Sequence, residues 1–238
     1  MVDPTSLRKP SATTVGETLV GAGAVAATVA ASPFLRRRFN RWGATQDEVA
    51  SAMPGDDLVT QPKLGYTRAI TINAPPTDVW PWLAQIGQGR GGPYSYDGLE
   101  NLVGCNIHST DEILTEHQQL AVGDLIRSGL DNFPCWMVIG VQPPDHLVLL
   151  GAGTPENVAV PDTPVEGIPP KGDASATWQW QLRPHANGTA TRLIVRQRLT
   201  YSPGQAITWR LVEPINFAME HKMLNGLKAR AEGAPANR

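Results

Sequence analysis

Cysteine is scarce in this sequence, and no group of metal ligands accompanies it. The 238 residues include two cysteines, Cys105 and Cys135, and no CxxC or Cys/His group at the spacing of a zinc site. A chain of this length can bury a sizeable core without disulfide support. The sequence therefore predicts no metal site and favours two reduced, buried thiols, with a disulfide between them as the open alternative.

An excess of charge of one sign is also missing. The chain has 20 basic and 22 acidic side chains and a formal net charge of -2 at pH 7. No large basic field can therefore attract a phosphate backbone, and nucleic acid is not an expected partner. No catalytic Ser/His/Asp order is present either. The glycines of Gly87-x-Gly89-x-x-Gly92 follow a predicted helix instead of a strand, which argues against a dinucleotide fingerprint, and no cofactor is expected.

A long uncharged stretch near the N terminus is the first positive feature. Residues 18–35 carry no charge and would form a helix of about 27 Å, close to the thickness of a bilayer's hydrocarbon core. Arg36, Arg37 and Arg38 follow, and the positive-inside rule then places the main domain in the cytoplasm. We expect a tail over 1–17 and a single-pass membrane anchor over 18–35. Two alternatives stay open, a cleaved secretory signal and a soluble extension.

Residues 36–62 have the pattern of a linker with one short helix. Thr45 can cap that helix, and Glu48 lies three residues later, as in a capping box. The remaining residues, 63–232, are predicted to form one α+β domain.

This domain opens with a strand that leads directly into a helix. Residues 66–73 alternate and are rich in β-branched side chains, and Thr77 is placed to cap a helix over 78–85. A short helix is predicted over 97–104, and a further helical turn from Ser109 or Thr110. The rest is predicted as strands over 124–128, 135–142, 146–152, 176–183 and 191–201, a proline-rich loop over 153–173 as a candidate lid, and a long helix over 204–232 bent or broken at Pro214.

Two stretches resemble a known superfamily. The run AITINAPPTDVWPWL (69–83) resembles the opening of START-like domains (SRPBCC, polyketide cyclase/dehydrase, Bet v 1-like), whose first strand ends in an Ala-Pro turn before a helix reading Val-Trp-x-x-Leu. Residues 87–113 are similar to an actinobacterial-type subfamily that often carries an N-terminal hydrophobic segment. The resemblance implies a helix-grip fold, in which a curled antiparallel sheet surrounds a long C-terminal helix.

The space between such a sheet and helix is either filled by side chains or left as a cavity. Trp178 and Trp180 alternate onto one strand face, and their rings suit an aromatic-lined pocket, although they would equally fill a core. We expect an apolar or aromatic ligand of the lipid, polyketide or isoprenoid class. The residues predicted to bind it are Arg90, Tyr94, Tyr96, His108, Trp136, Trp178, Trp180, Met219 and Met223.

Two other functions remain open at this point, a polyketide aromatase/cyclase-type enzyme and an interaction or regulatory module with a filled core. His108 is the best candidate for a catalytic acid or base. Further titratable candidates are Asp97, Glu100, Glu220 and His221. Arg192, Arg196 and Arg198 share one strand face, which is predicted to be solvated. The sequence leaves the oligomeric state open.

Overall fold

The structure is a computed structural model, and it describes residues 12–130, 133, 135–151 and 176–233. The candidate lid over 153–173 lies outside the described residues, as does most of the tail over 1–17. The helices are α1 (Ala12–Phe39), α2 (Gln46–Ala50), α3 (Pro76–Ala84), α4 (Asp97–Leu102) and α5 (Ala206–Ala231), and the strands are β1 (Leu64–Ile72), β2 (Leu125–Arg127), β3 (Cys135–Gln142), β4 (His146–Gly151), β5 (Ala176–His185) and β6 (Ala190–Leu199).

The six strands form one antiparallel sheet in the order β1-β6-β5-β4-β3-β2. The chain meanders from β2 to β6, and β1 then pairs with β6 along its whole length, with Arg68 opposite Val195. The Asn187-Gly188 turn joins β5 to β6, and both residues have a positive φ. The predicted strand order and hairpin are confirmed, with shifts of one or two residues at most strand ends.

The long last helix packs across the inner face of this curled sheet. Period-2 alternation turns Trp180, Leu182, Leu193 and Val195 to that face, where they are fully buried with Leu224 of α5 and the first turns of α3. Helix α5 continues through Pro214 as one element. The predicted helix-grip fold is therefore confirmed.

The segment predicted as a linker covers the outer face of the sheet. Met53 packs on Ala69 and Ile194, and Leu58 and Val59 pack on β4. Above them Arg196 is almost fully buried, so the prediction of a solvated arginine face is wrong. Sequence periodicity correctly separated the two faces but gave no sign that residues 42–62 fold back over one of them.

Arg196 shows why this cover is stable. Its guanidinium donates to the Thr67 hydroxyl at 3.0 Å, to the main-chain oxygens of Ser51 and Glu48, and to the Asp56 carboxylate. The predicted capping box of Thr45 and Glu48 is present and starts α2 in front of these carbonyls. Arg192 and Arg198 extend the network to Glu48 and Asp56.

Helix α1 contains the whole predicted span and continues through the arginine cluster. It lies against α5 and α4. Its C-terminal end is held by an ion pair between Arg36 and Glu213 at 2.8 Å and by stacking of Phe39 on Phe217 at 4.4 Å. Nearer its start, Gly21 rests on the ring of Tyr96, where an added Cβ would be 3.0 Å away.

Two local predictions fail for identifiable reasons. Thr77 does not cap α3, because Pro75 takes the N-cap position and the helix starts two residues earlier than predicted, with Pro76 as its first residue. No helical turn starts at Ser109 or Thr110. The Ser109 hydroxyl and amide instead bind the Asp97 carboxylate at 2.7 and 2.6 Å, and a 3-10 turn forms later, at Thr115–His117.

Candidate ligand cavity between the sheet and the last helix

A cavity of about 240 Å³ lies between the inner face of the sheet and α5. The sheet supplies one wall and α5 the opposite wall, and the loop after α3 and helix α4 close one side. Its lining is mostly apolar. The main apolar residues of the wall are Ile86, Ile107, Ile126, Trp136, Trp178, Met219 and Met223.

Trp178 and Trp136 form an aromatic strip on the sheet side of the cavity. Their ring centroids are 5.4 Å apart, and Trp178 in turn contacts Trp180 at 4.9 Å. The strip has a defined orientation, because the indole N–H of Trp178 donates to Glu220 at 3.2 Å. Aromatic faces held in this way offer a large, rigid and apolar contact area.

A buried ion pair supports the same wall. Arg68 on β1 has a fully buried side chain, and its Nη1 donates to the Glu220 Oε2 at 2.6 Å. The guanidinium lies over the Tyr66 ring, with the Arg68 Cζ 3.7 Å from the ring centroid. Charges are buried in proteins when they are paired and hydrogen-bonded in this way.

The other oxygen of Glu220 accepts a hydrogen bond from the Tyr66 hydroxyl at 2.6 Å. Burial, followed by the neighbouring carboxylate of Glu220, raises the pKa of Tyr66 well above its usual value, so the phenol stays protonated. Three donors, from Arg68, Tyr66 and Trp178, thus converge on Glu220. These three hydrogen bonds explain why a carboxylate is tolerated in an otherwise apolar wall.

A second carboxyl group in the lining, that of Glu100 on α4, has a different environment. Its Oε2 is buried and has no hydrogen-bond partner among the described residues. Burial, followed by the neighbouring Asp97 carboxylate, raises the pKa of Glu100 to about 8. The carboxyl group is therefore mostly neutral at pH 7.

Solved structures that are similar to this chain share little of its sequence. No family model and no curated protein matches the chain. Similar solved structures are a protein from Arthrobacter aurescens (17% identity, 80% of this chain and 94% of that one, TM-score 0.39), a polyketide-cyclase-like protein from Corynebacterium glutamicum (15%, 71% and 87%, 0.33) and the Aha1 dimer from Colwellia psychrerythraea (14%, 71% and 96%, 0.34).

These likenesses are distant, and the chain's own elements decide the assignment: a strand, two helices, five antiparallel strands and a long last helix against the sheet. The fold is the START-like helix grip. The strand, turn and helix that the resemblance of residues 69–83 implies are confirmed, since that run forms the end of β1 and most of α3.

Four of the nine predicted ligand residues of this helix-grip domain lie on the cavity wall. They are Trp136, Trp178, Met219 and Met223. Trp180 is two residues after Trp178, on the same face of β5, and is completely buried in the core beneath α3 and α5. Strand periodicity assigns a residue to a face, but it does not say where along that face the packing ends.

The two tyrosines of the glycine-rich loop are used for packing and do not line the cavity. Tyr94 is buried, and its hydroxyl donates to the main-chain oxygen of Trp82 at 2.9 Å. Burial raises the pKa of Tyr94 above its usual range. Tyr96 supports α1 through Gly21, and Lys222 lies over its ring at 5.7 Å.

Arg90 and His108 also lie away from the cavity. The Arg90 guanidinium donates to the carbonyl oxygens of Ala84 and His117 at 3.0 and 3.1 Å, which fastens the glycine-rich loop. His108 is exposed, and its ring has no partner among the described residues. The convergence of His108 with an acid or a tyrosine, which the enzymatic alternative requires, is therefore not observed.

Sequence reasoning missed Arg68 and Tyr66, which support the wall from behind through Glu220. Both lie at alternate positions of β1 with Ile70 and Ile72, so the period-2 pattern placed Arg68 on the inner face. An arginine in an otherwise apolar face was the available signal. It indicates a buried partner of opposite charge, and Glu220 was the candidate on the facing helix.

Proposed function

We propose that this chain binds an apolar or aromatic small molecule, of the lipid, polyketide or isoprenoid class, in the cavity between the sheet and α5. The observation that supports this proposal most is the oriented aromatic strip of Trp136 and Trp178 beside unfilled space. A core that served only stability would fill that space, because each unfilled volume costs packing energy.

The third alternative, a module with a filled core, is disfavoured by the same observation. The cavity volume is far larger than a single water needs, and it approaches the range of small-molecule sites. The enzymatic alternative needs a titratable pair facing the ligand. Its best candidate, His108, is exposed and does not line the cavity, so binding is the better supported function.

We further propose that residues 18–35 of α1 anchor the chain in a membrane, with the helix-grip domain on the cytoplasmic side. The packing of Gly21 on Tyr96 would then be exchanged for contact with lipid. Among the described residues, Val15–Phe39 is the one stretch long and apolar enough to cross a bilayer, a property that signal sequences share. A core helix of a soluble domain would be mostly buried, whereas Leu19, Val20 and Phe34 are 68, 66 and 88% exposed. The arginines after Leu35 favour the cytoplasmic side.

Anchoring can be tested by removing residues 1–31, which leaves the Arg36–Glu213 pair intact. The full chain should stay with the membrane fraction after alkaline extraction, and the shortened chain should become soluble. A full chain that is extracted at high pH, or that is shortened by cleavage near Ala31 in cells, would contradict the anchor.

Ligand binding can be tested with naphthalene as a probe. The full chain in lipid nanodiscs would be titrated by calorimetry, with empty nanodiscs subtracted. Met219→Trp places an indole in the cavity and should weaken naphthalene binding at least about tenfold. The matched control is Ile207→Trp on the same helix, because Ile207 is 76% exposed. Equal binding by the two variants and the wild type would overturn the proposal.

A further inference from the structure

Glu100 is the polar group of the cavity wall whose hydrogen bonding is incomplete. Among the described lining residues, its Oε2 is the one buried side-chain oxygen or nitrogen without a partner. The second carboxylate of the wall, Glu220, differs because Arg68, Tyr66 and Trp178 all donate to it. A buried oxygen without a partner costs stability, and native proteins retain such atoms rarely.

The surroundings of Glu100 favour its neutral form. Asp97 lies on the same helix, and the Cys105 thiol that follows α4 is buried beside it, with its pKa raised by burial and by Glu100. Arg127 and Glu220 line the cavity from β2 and α5. The influences that govern Glu100 are burial and Asp97, and no cation is among them. A neutral carboxyl group has one O–H to donate.

We propose that Glu100 donates a hydrogen bond to a neutral acceptor on the ligand, such as a ketone carbonyl or an ester oxygen. This inference rests on the proposed binding function and narrows its ligand class. The ligand would place an apolar or aromatic body against Trp136 and Trp178 and direct one acceptor towards α4. Hydrocarbons without an acceptor would leave Oε2 unsatisfied and bind less tightly.

Two probes of nearly equal shape separate this acceptor from the apolar body. They are 2-acetylnaphthalene, which carries a carbonyl oxygen, and 2-ethylnaphthalene, which does not. Both would be titrated at pH 6 into the full chain in nanodiscs. We expect the ketone to bind about tenfold more tightly than the hydrocarbon, the usual effect of one hydrogen bond to an otherwise unpaired buried group.

Two variants test whether Glu100 is the donor. Glu100→Leu should reduce the ratio of the two affinities to about one. Glu100→Gln keeps an N–H donor and should retain the preference, and melting temperatures of both variants show whether they fold. In the wild type the preference should fall as the pH rises through about 8, where the carboxyl ionises, and in Glu100→Gln it should not.

The possible results separate this inference from the binding function. Equal binding of both probes to the wild type, or a preference that persists in Glu100→Leu, overturns the role of Glu100 and leaves the binding function standing. Tighter binding of 2-naphthylmethylamine than of the ketone also overturns it, since Glu100 would then act as an anion for a cationic ligand. Binding of neither neutral probe overturns the binding function together with the inference.

Discussion

The two faces of the sheet both bury arginines, but in opposite surroundings. On the outer face Arg196 is enclosed by the segment over residues 42–62 and donates to main-chain carbonyls, a hydroxyl and Asp56. On the inner face Arg68 pairs with Glu220 beside a cavity. The outer face carries a polar network that holds the covering segment, whereas the inner face joins a supported wall to a mostly apolar cavity.

This difference indicates which polar groups serve the fold and which are available to a ligand. The donors of Arg196 are satisfied within the protein, so its role is to hold the covering segment. On the inner face, Arg68 and Tyr66 satisfy Glu220 and thereby orient Trp178, while Glu100 has an oxygen without a partner. In the inner cavity, an apolar wall and a carboxyl oxygen without a partner therefore occur together.

The largest expected effect comes from the outer network. Arg196→Ala leaves Asp56 and several carbonyl oxygens without their donor, and should lower the free energy of unfolding by about 4 kcal/mol. Urea unfolding followed by circular dichroism measures it. The control Arg41→Ala removes an exposed arginine and should change stability by less than about 0.5 kcal/mol. Similar values for the two variants would show that the cover is loosely held.

The inner ion pair should behave differently from the outer network. Glu220→Gln leaves the Arg68 charge uncompensated and should cost about 3 kcal/mol, while Glu116→Gln at an exposed position should cost almost nothing. The double variant Arg68→Met with Glu220→Leu removes both charges and should be more stable than Glu220→Gln alone. If the double variant is less stable than Glu220→Gln, the Arg68–Glu220 pair stabilises the fold by more than the neutralisation of each charge by the other.

Glu100 should make stability depend on pH. Its pKa is about 8 in the folded chain, against an ordinary value of 4.5, so the unfolded chain ionises first. Stability from this group is therefore fully present below about pH 4.5 and falls as the pH rises towards 8. As the pH rises from 5 to 8.5, the free energy of unfolding of Glu100→Gln should increase relative to that of the wild type by on the order of 2 kcal/mol. This is less than the full pKa difference implies, because solvent partly reaches the carboxyl group.

Urea unfolding of both chains at several pH values measures this gain. A difference between them that stays constant with pH would contradict the neutral Glu100.

The smallest expected effect concerns the orientation of the aromatic strip. Trp178→Phe keeps an aromatic ring but loses the indole N–H that donates to Glu220, and should lower the free energy of unfolding by about 1 kcal/mol. Trp209→Phe is the matched control, because Trp209 packs on Tyr201 away from the cavity. Weaker naphthalene binding should accompany the first variant only. Unchanged naphthalene binding by Trp178→Phe would show that the orientation of the aromatic strip does not affect the ligand.

The fold was predictable because its signals are local. Alternation in residues 66–73 and 176–183, the Asn187-Gly188 turn and the apolar period of the last helix each act within a few residues. The site was predictable only in part. Trp178 and Met219 were found through the same periods, which identify a face of a strand or helix.

The remaining site depends on contacts between distant segments, which local patterns do not encode. Arg68 and Glu220 are 152 residues apart, and each is accommodated in the interior because the other neutralises its charge. The glycine-rich loop predicts a ligand site at Tyr94 and Tyr96, because two phenols on such a loop are costly to order unless they pack or bind. In the structure Arg90 and Tyr94 instead tie the loop to the C-terminal turn of α3, where the carbonyls of Ala84 and Trp82 need donors.

Native mass spectrometry of the full chain, purified from cells in lipid nanodiscs, tests the cavity most directly. We expect the wild type and Ile207→Trp to retain a copurified small molecule of apolar class and Met219→Trp to lose it. A bound molecule retained equally by all three, or absent from all three while each chain is folded, would contradict ligand binding between the sheet and α5.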